Sequence, residues 1–137
     1  MSSTQTGSTK ERREFFRLNF KAPVRYKNYT DSETGSKPGE VFKGTTQNIS
    51  QSGVLFETET VPPISSILWL NLDIRTIKIC QEIEQRALVF KEGLLGRVVR
   101  IEENPVKKTY DVGVCFLTQN EKSSKEVQQV LSKITVN

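Results

Sequence analysis

VFKGTTQNISQSGVLFETE, residues 41–59, holds two strand-forming runs, about 41–49 and 53–59, separated only by Ser50-Gln51-Ser52-Gly53. A connection this short, rich in Ser and Gly, folds the chain back on itself. Asn48 and Ser50 share parity on the first run, so an amide and a hydroxyl leave from one side while Ile49 goes to the core. Gly53 permits a positive φ or a close backbone approach. Taken alone, this vocabulary of Asn, Ser and Gly also describes an ordinary β-turn.

Outward from this hairpin the same grammar repeats. Phe16, Leu18 and Phe20 alternate with Arg17, Asn19 and Lys21, a period-2 strand that turns Arg17 away from the face of Phe16. Pro23 interrupts it, and Val24 and Tyr26 continue as an edge strand or a kink. Residues 28–40 are turn formers and charges and read as a long, exposed hairpin loop. Pro62-Pro63 marks a turn, after which Leu68, Leu70, Leu72 and Ile74 alternate with Trp69, Asn71 and Asp73. Trp69, opposite in parity to the leucines, is expected on the barrel surface or packed under a helix. Further strand-like runs cover about 77–80, 84–91, 95–103 and 110–117, with Asn104-Pro105 and Lys107-Lys108 forming the hairpin before the last. Tyr110, Val112, Val114 and Phe116 share one face of it.

The period changes near the end. Val127, Val130, Leu131 and Ile134 follow helical spacing, which predicts an amphipathic helix over about 121–134, with Ser123 and Glu126 as a capping box. The count is six to eight short antiparallel strands and a C-terminal helix: a mainly β fold, a barrel with a helix packed on it or covering one end. Residues 1–10 have no apolar residue after Met1 and read as a flexible tail, leaving a single domain over 11–137.

Composition narrows the chemistry. The sequence has no histidine, which removes the commonest general base and metal ligand. Cys80 and Cys115 lack metal-ligand spacing and read as reduced, packed thiols, so neither a metal site nor an enzyme is expected. No apolar h-region or bilayer-spanning run occurs, which points to the cytoplasm without membrane insertion. A net charge of +4 is too small by itself to indicate nucleic-acid binding. A small barrel for single strands would also want aromatics interleaved with a basic groove, whereas the phenylalanines here fall mostly on core faces; no DNA or RNA partner is expected.

The basic residues are concentrated, however. Lys10 to Arg17 contains four cations and two glutamates. Arg13 and Arg17 stand four apart, so they can converge on one target from a strand or a helix. A guanidinium offers a planar fork of donors to phosphate or to the O6/N7 edge of guanine, and a flat face to a base. By charge alone, these arginines read as a solvated approach to the domain.

The pair RxxxR (Arg13 to Arg17), followed by (D/N)xSxxG (Asn48 to Gly53), resembles the PilZ domain family of bacterial cyclic di-GMP receptors. The likeness spans roughly residues 11–135. It includes Glu11-Arg12-Arg13-Glu14-Phe15-Phe16-Arg17 before an apolar strand, Gly53-Val54-Leu55-Phe56 after the turn and Val112-Gly113-Val114-Cys115-Phe116 late in the chain. Asn48 stands where many members carry Asp.

The resemblance implies a receptor that changes conformation on binding cyclic di-GMP, held as one molecule or a stacked pair, and that signals to a downstream protein partner. Motility, adhesion and biofilm-type outputs all occur in the family. Arg13 and Arg17 are then the main grips on phosphate and guanine, with Arg12 as an extra contact. Asn48 and Ser50 bond a guanine edge, and Gly53 shapes the turn. Arg100, expected to point outward between Val99 and Ile101, is a further candidate beside the purine. No cofactor is implied beyond this ligand. The alternative is a PilZ-like adaptor that works by protein contacts without the nucleotide.

Overall fold

The computed structural model describes residues 18–19, 21–29, 40–72 and 80–136. In chain order the strands are β1 (Leu18–Asn19), β2 (Pro23–Asn28), β3 (Phe42–Ser50), β4 (Gly53–Thr58), β5 (Ile67–Asn71), β6 (Val89–Phe90), β7 (Gly93–Asn104) and β8 (Thr109–Phe116). Two α-helices, α1 (Cys80–Arg86) and α2 (Lys125–Val136), and a single 3-10 turn at Gln119–Glu121 complete the described elements.

All strand pairings are antiparallel. β2, β5, β7, β8, β4 and β3 pair in that order, and β3 pairs back to β2, closing a six-stranded barrel. β1 extends the β2 edge of β3, and β6 adds to β7. The break between β1 and β2 is the kink expected at Pro23. There the Ala22 amide donates to Thr46 Oγ1 at 2.9 Å, and the Thr46 amide donates to the Ala22 carbonyl at 2.9 Å. Pro23 then opens β2, a position that tolerates its missing N–H.

Alternation fills the barrel. Val54 and Phe56 of β4, Val112 and Val114 of β8, and Leu68 and Leu70 of β5 all point inward and are buried. Each such side chain contributes roughly 1.5–3 kcal/mol of burial free energy. β5 and β7 are covered on their outer face as well. Ile67 and Leu95 meet Val127, Val130, Leu131 and Ile134 of α2, with Trp69 partly buried beside them. Trp69 therefore packs under the helix, its Nε1 donating to the Phe90 carbonyl at 2.8 Å.

Three sequence expectations need correction. The strand-like run about 84–91 is not one strand: Cys80–Arg86 is helical and only Val89–Phe90 of that run is strand, while residues 77–79 of the preceding run lie outside the described residues. Short apolar runs do not separate helix from strand by themselves. Here Ile83 and Ala87, one helical turn apart, both enter the barrel core, which decides for the helix. Second, α2 is capped one residue later than expected: Ser124 Oγ accepts from the Val127 amide at 3.2 Å, and Glu126 is engaged by Arg97 at 2.7 Å. Third, Cys115 is exposed, not packed, because Val114 and Phe116 on either side of it point inward.

Candidate functional site

The register of the strands lays side chains in rows across the barrel. Ile49, Val54, Val114 and Val98 lie opposite one another on β3, β4, β8 and β7 and are all buried. The rows on either side of this one face outward. Toward the β3–β4 turn lies Ser50–Gly53–Cys115–Arg97, and on the other side Asn48–Leu55–Gly113–Arg100. Beyond that is an acidic row, Glu57–Asp111–Glu102.

Simple alternation would not produce this pattern. Thr46 is buried at 0% exposure, so Asn48, two residues on, would also face inward in a regular strand. A bulge between Thr46 and Asn48 absorbs Gln47 and turns Asn48 outward while sending Ile49 to the core. β7 does the same: a shift between Val98 and Arg100 absorbs Val99, leaving Val98 buried and Arg100 opposite Gly113. Val99 is 51% exposed, so Arg100 points outward because of the bulge and not because Val99 points in. Gln47 is itself anchored: its Nε2 donates to Asp111 Oδ1 at 2.7 Å, across the outside of β4.

The turn is tightly made. Ser50 is buried, and its Oγ accepts from the Ser52 amide at 3.3 Å and lies 3.2 Å from Ser52 Oγ. The hydroxyl therefore braces the turn before it could serve anything outside. The Ser52 carbonyl accepts from the Phe116 amide at 2.9 Å and fastens the turn to β8. Of the two reasons the sequence allows for Gly53, the structure selects the close approach. A Cβ there would lie 2.2 Å from the Val114 carbonyl oxygen, whereas its φ lies outside the left-handed region.

Asn48, Ser50 and Gly53 are thus brought together on one surface, and Arg100 joins their edge from two strands away. Arg12, Arg13 and Arg17 lie outside the described residues. The cations of β7 nearest these rows are already paired: Arg100 with Glu102 at 3.0 Å, and Arg97 with Glu126 at 2.7 Å. The Arg97 guanidinium holds the Glu126 carboxyl below its usual range, chiefly through this hydrogen bond. Sequence reasoning missed Gln47, Leu55, Asp111 and Gly113 as neighbours of the site, since two unseen bulges decide which residues share its rows. Among the described residues no helix is long and apolar enough to cross a membrane, and no His, Cys, Asp or Glu cluster could hold a metal ion.

The PilZ domain family model matches residues 11–133. No curated protein matches the chain. Among solved structures, the Bacillus subtilis inhibitor of motility (MotI/DgrA) superposes with a TM-score of 0.50 at 13% identity, covering 93% of this chain and 53% of that one. The Klebsiella pneumoniae MrkH–c-di-GMP complex matches with a TM-score of 0.48 at 11% identity, covering 92% and 53% of the two chains. The PilZ domain of Escherichia coli YcgR, solved with c-di-GMP, matches with a TM-score of 0.44 at 16% identity, covering 90% and 88%. The chain spans about half the length of the first two, at 53% of each.

Proposed function

The chain belongs to the PilZ domain family, and we propose that it is a receptor for cyclic di-GMP that passes the signal on by protein contacts. One observation carries this reading. The Asn-x-Ser-x-x-Gly stretch forms a braced turn on an outward surface, beside the strand that Arg17 immediately precedes in the chain. Leu18 pairs with Ile49 and Asn19 with Asn48, so Arg17 is next in the chain to the strand partner of Ile49, the residue before Ser50.

The ligand has two phosphates and flat purines. In this reading Arg13 and Arg17 grip phosphate and guanine, Arg12 assists, and Asn48 and Ser50 address a guanine edge over the turn that Gly53 allows. Because Arg97 and Arg100 already have carboxylate partners, the N-terminal arginines supply the charge that phosphate needs. Their engagement fastens the segment before β1 to the barrel and changes the surface offered to a partner. Residues 11–137 act as one domain, with 1–10 as an appended tail. Action in the cytoplasm without catalysis, on motility or biofilm-type outputs, fits the same reading.

Calorimetric titration with cyclic di-GMP tests it. The native chain should release heat on binding, and Arg17→Ala should weaken binding roughly ten- to a hundredfold, since a charge-assisted bond contributes about 1.5–3 kcal/mol. Absence of heat with the native chain would favour the adaptor reading, in which the domain works without the nucleotide.

A further inference from the structure

β7 is flanked by strands on both sides over only part of its length. β8 runs beside it from Gly96, opposite Phe116, to Asn104, opposite Thr109, whereas β5 accompanies it only from Leu94 to Arg97. The Val98 amide donates to the Ser66 carbonyl at 2.9 Å, and the Val98 carbonyl accepts from the Ser65 amide at 2.8 Å. After Val98, no backbone bond among the described residues reaches that side of β7. Val99 to Asn104 is therefore a free strand edge, roughly 20 Å long at the usual rise of a strand.

The groups this edge presents follow from the pairing on its other side. The Leu117 amide donates to the Leu95 carbonyl, and the Phe116 amide to the Ser52 carbonyl. Along β8, then, odd-numbered residues address β7 and even-numbered ones address β4. Gly113 and Asp111 take up the backbone groups of Arg100 and Glu102, their partners in register. Ile101 and Glu103 turn their N–H and C=O to the open side. The Ile101 side chain packs against the core, while Arg100 and Glu102 stand on the outer face, joined at 3.0 Å with side chains 62% and 60% exposed. Apolar surface is concentrated on the same elements. Of the six exposed large hydrophobics among the described residues, Val61 and Ile64 lie in the loop leading to Ser65, Val99 opens the free edge, and Val106 sits in the turn after Asn104.

We propose that this edge is an interface between two copies of the chain, which pair β7 to β7, antiparallel, about a twofold axis at Ile101. An open edge accepts any extended segment unless its side chains select one. Here they select a copy of themselves. A twofold pair sets residues that are symmetric about its centre opposite one another, on the same face. Centred on Arg100, Glu102 or Glu103, that residue would meet its own like charge. Centred on Ile101, Arg100 of each copy meets Glu102 of the other, so opposite charges face each other twice. The two Ile101 residues then exchange both of their outward backbone bonds, as a hydrogen-bonded antiparallel pair does. The second copy also covers Val99, and the sheet runs on from one barrel into the next. This interface does not depend on the nucleotide.

Sedimentation of the full chain without nucleotide, from micromolar to millimolar concentration, tests the interface, with amide exchange followed by NMR over the same range. A dimer should form in the upper part of that range, because one short edge and two exposed ion pairs hold it. The Ile101 and Glu103 amides should become protected as it forms, while those of Arg100 and Glu102, already bonded to β8, should not change. Arg100→Glu and Glu102→Arg should each weaken self-association at least about tenfold with the native circular dichroism retained. An equimolar mixture of these two variants should regain dimers, because each copy then carries one sign and meets the opposite sign in its partner. Glu103→Pro, which removes an outward donor and no bond to β8, should also be monomeric. A native chain that stays monomeric at millimolar concentration overturns the interface. So does a dimer in which Ile101 and Glu103 remain unprotected, or a mixture of the two charge variants that remains monomeric.

Discussion

Gly53 and Gly113 face the same side of the barrel but are crowded to different degrees. At Gly53 any Cβ must enter the space of the Val114 carbonyl oxygen, 2.2 Å away, which belongs to backbone and cannot swing aside. Gly53→Ala should therefore destabilise the fold by on the order of 1–3 kcal/mol, as overpacking does, read as a lower urea midpoint at unchanged slope. Gly113→Ala must displace Arg100 Cβ, 3.3 Å away, by only a few tenths of an ångström and should lower the urea midpoint less than Gly53→Ala does. The contrast separates a glycine crowded by fixed backbone from one crowded more lightly by a side-chain atom. Asn48 was readable as outward from the inward Ile49 beside it, whereas Ser50, read the same way, is buried and braces the turn. Arg100 was also read as outward, but for the wrong neighbour: Val98, not Val99, is the buried residue before it. A bulge adds one residue without any signature in composition, so alternation counted across it gives a correct result only by chance.

Among the elements, α1 was the least legible. CQEIEQR has one strongly apolar residue, Ile83, and its helical identity shows only when Ile83 and Ala87 are seen entering the barrel together. Ile83→Ala should cost about 2–5 kcal/mol, because the barrel around it is closed and cannot collapse onto the space left. Helix α2, by contrast, announced itself by period, and its docking is reinforced at the N-terminal end. Arg97 donates to both carboxylate oxygens of Glu126, at 2.7 and 3.3 Å, and to the Ser65 carbonyl at 3.0 Å. Glu126 is held below its ordinary value, so its contribution is complete above that ordinary value and is lost as pH falls from there through the lowered one. Both side chains are partly solvated, at 31% and 46% exposure, which limits the pair to about 0.2–1 kcal/mol. Acid unfolding followed by circular dichroism should show Glu126→Gln less stable than the native protein at neutral pH and converging with it in acid.

For the molecule as a whole, the β3–β4 hairpin and the β8 strand fastened to it lie on one outer surface, the one that the proposed function assigns to the ligand. The opposite side, β5 and β7, is covered by α2. Binding energy at the first surface adds directly to global stability, because a ligand held by the native state alone shifts the unfolding equilibrium. Cyclic di-GMP at a hundred times its dissociation constant should stabilise the chain by about 2.7 kcal/mol, measured as a rise in melting temperature. Arg17→Ala should remove most of that rise. The rise should also shrink with added salt, since guanidinium–phosphate attraction at an open surface is screened over a Debye length of about 8–10 Å.

Hydrophobic alternation, turn residues and the helical period of the last segment were enough to give an antiparallel barrel with a C-terminal helix. The order and spacing of Arg13, Arg17, Asn48, Ser50 and Gly53 were enough to give the family. These are local patterns: each is set by which face of a strand or helix must leave water. What the tertiary structure alone decided is which outward residues stand beside one another. Asn48, Leu55, Gly113 and Arg100 come from four strands and are far apart in the chain; barrel closure and two bulges set their common row. Register between strands is a long-range quantity, fixed by how the whole interior packs, and no single segment carries it.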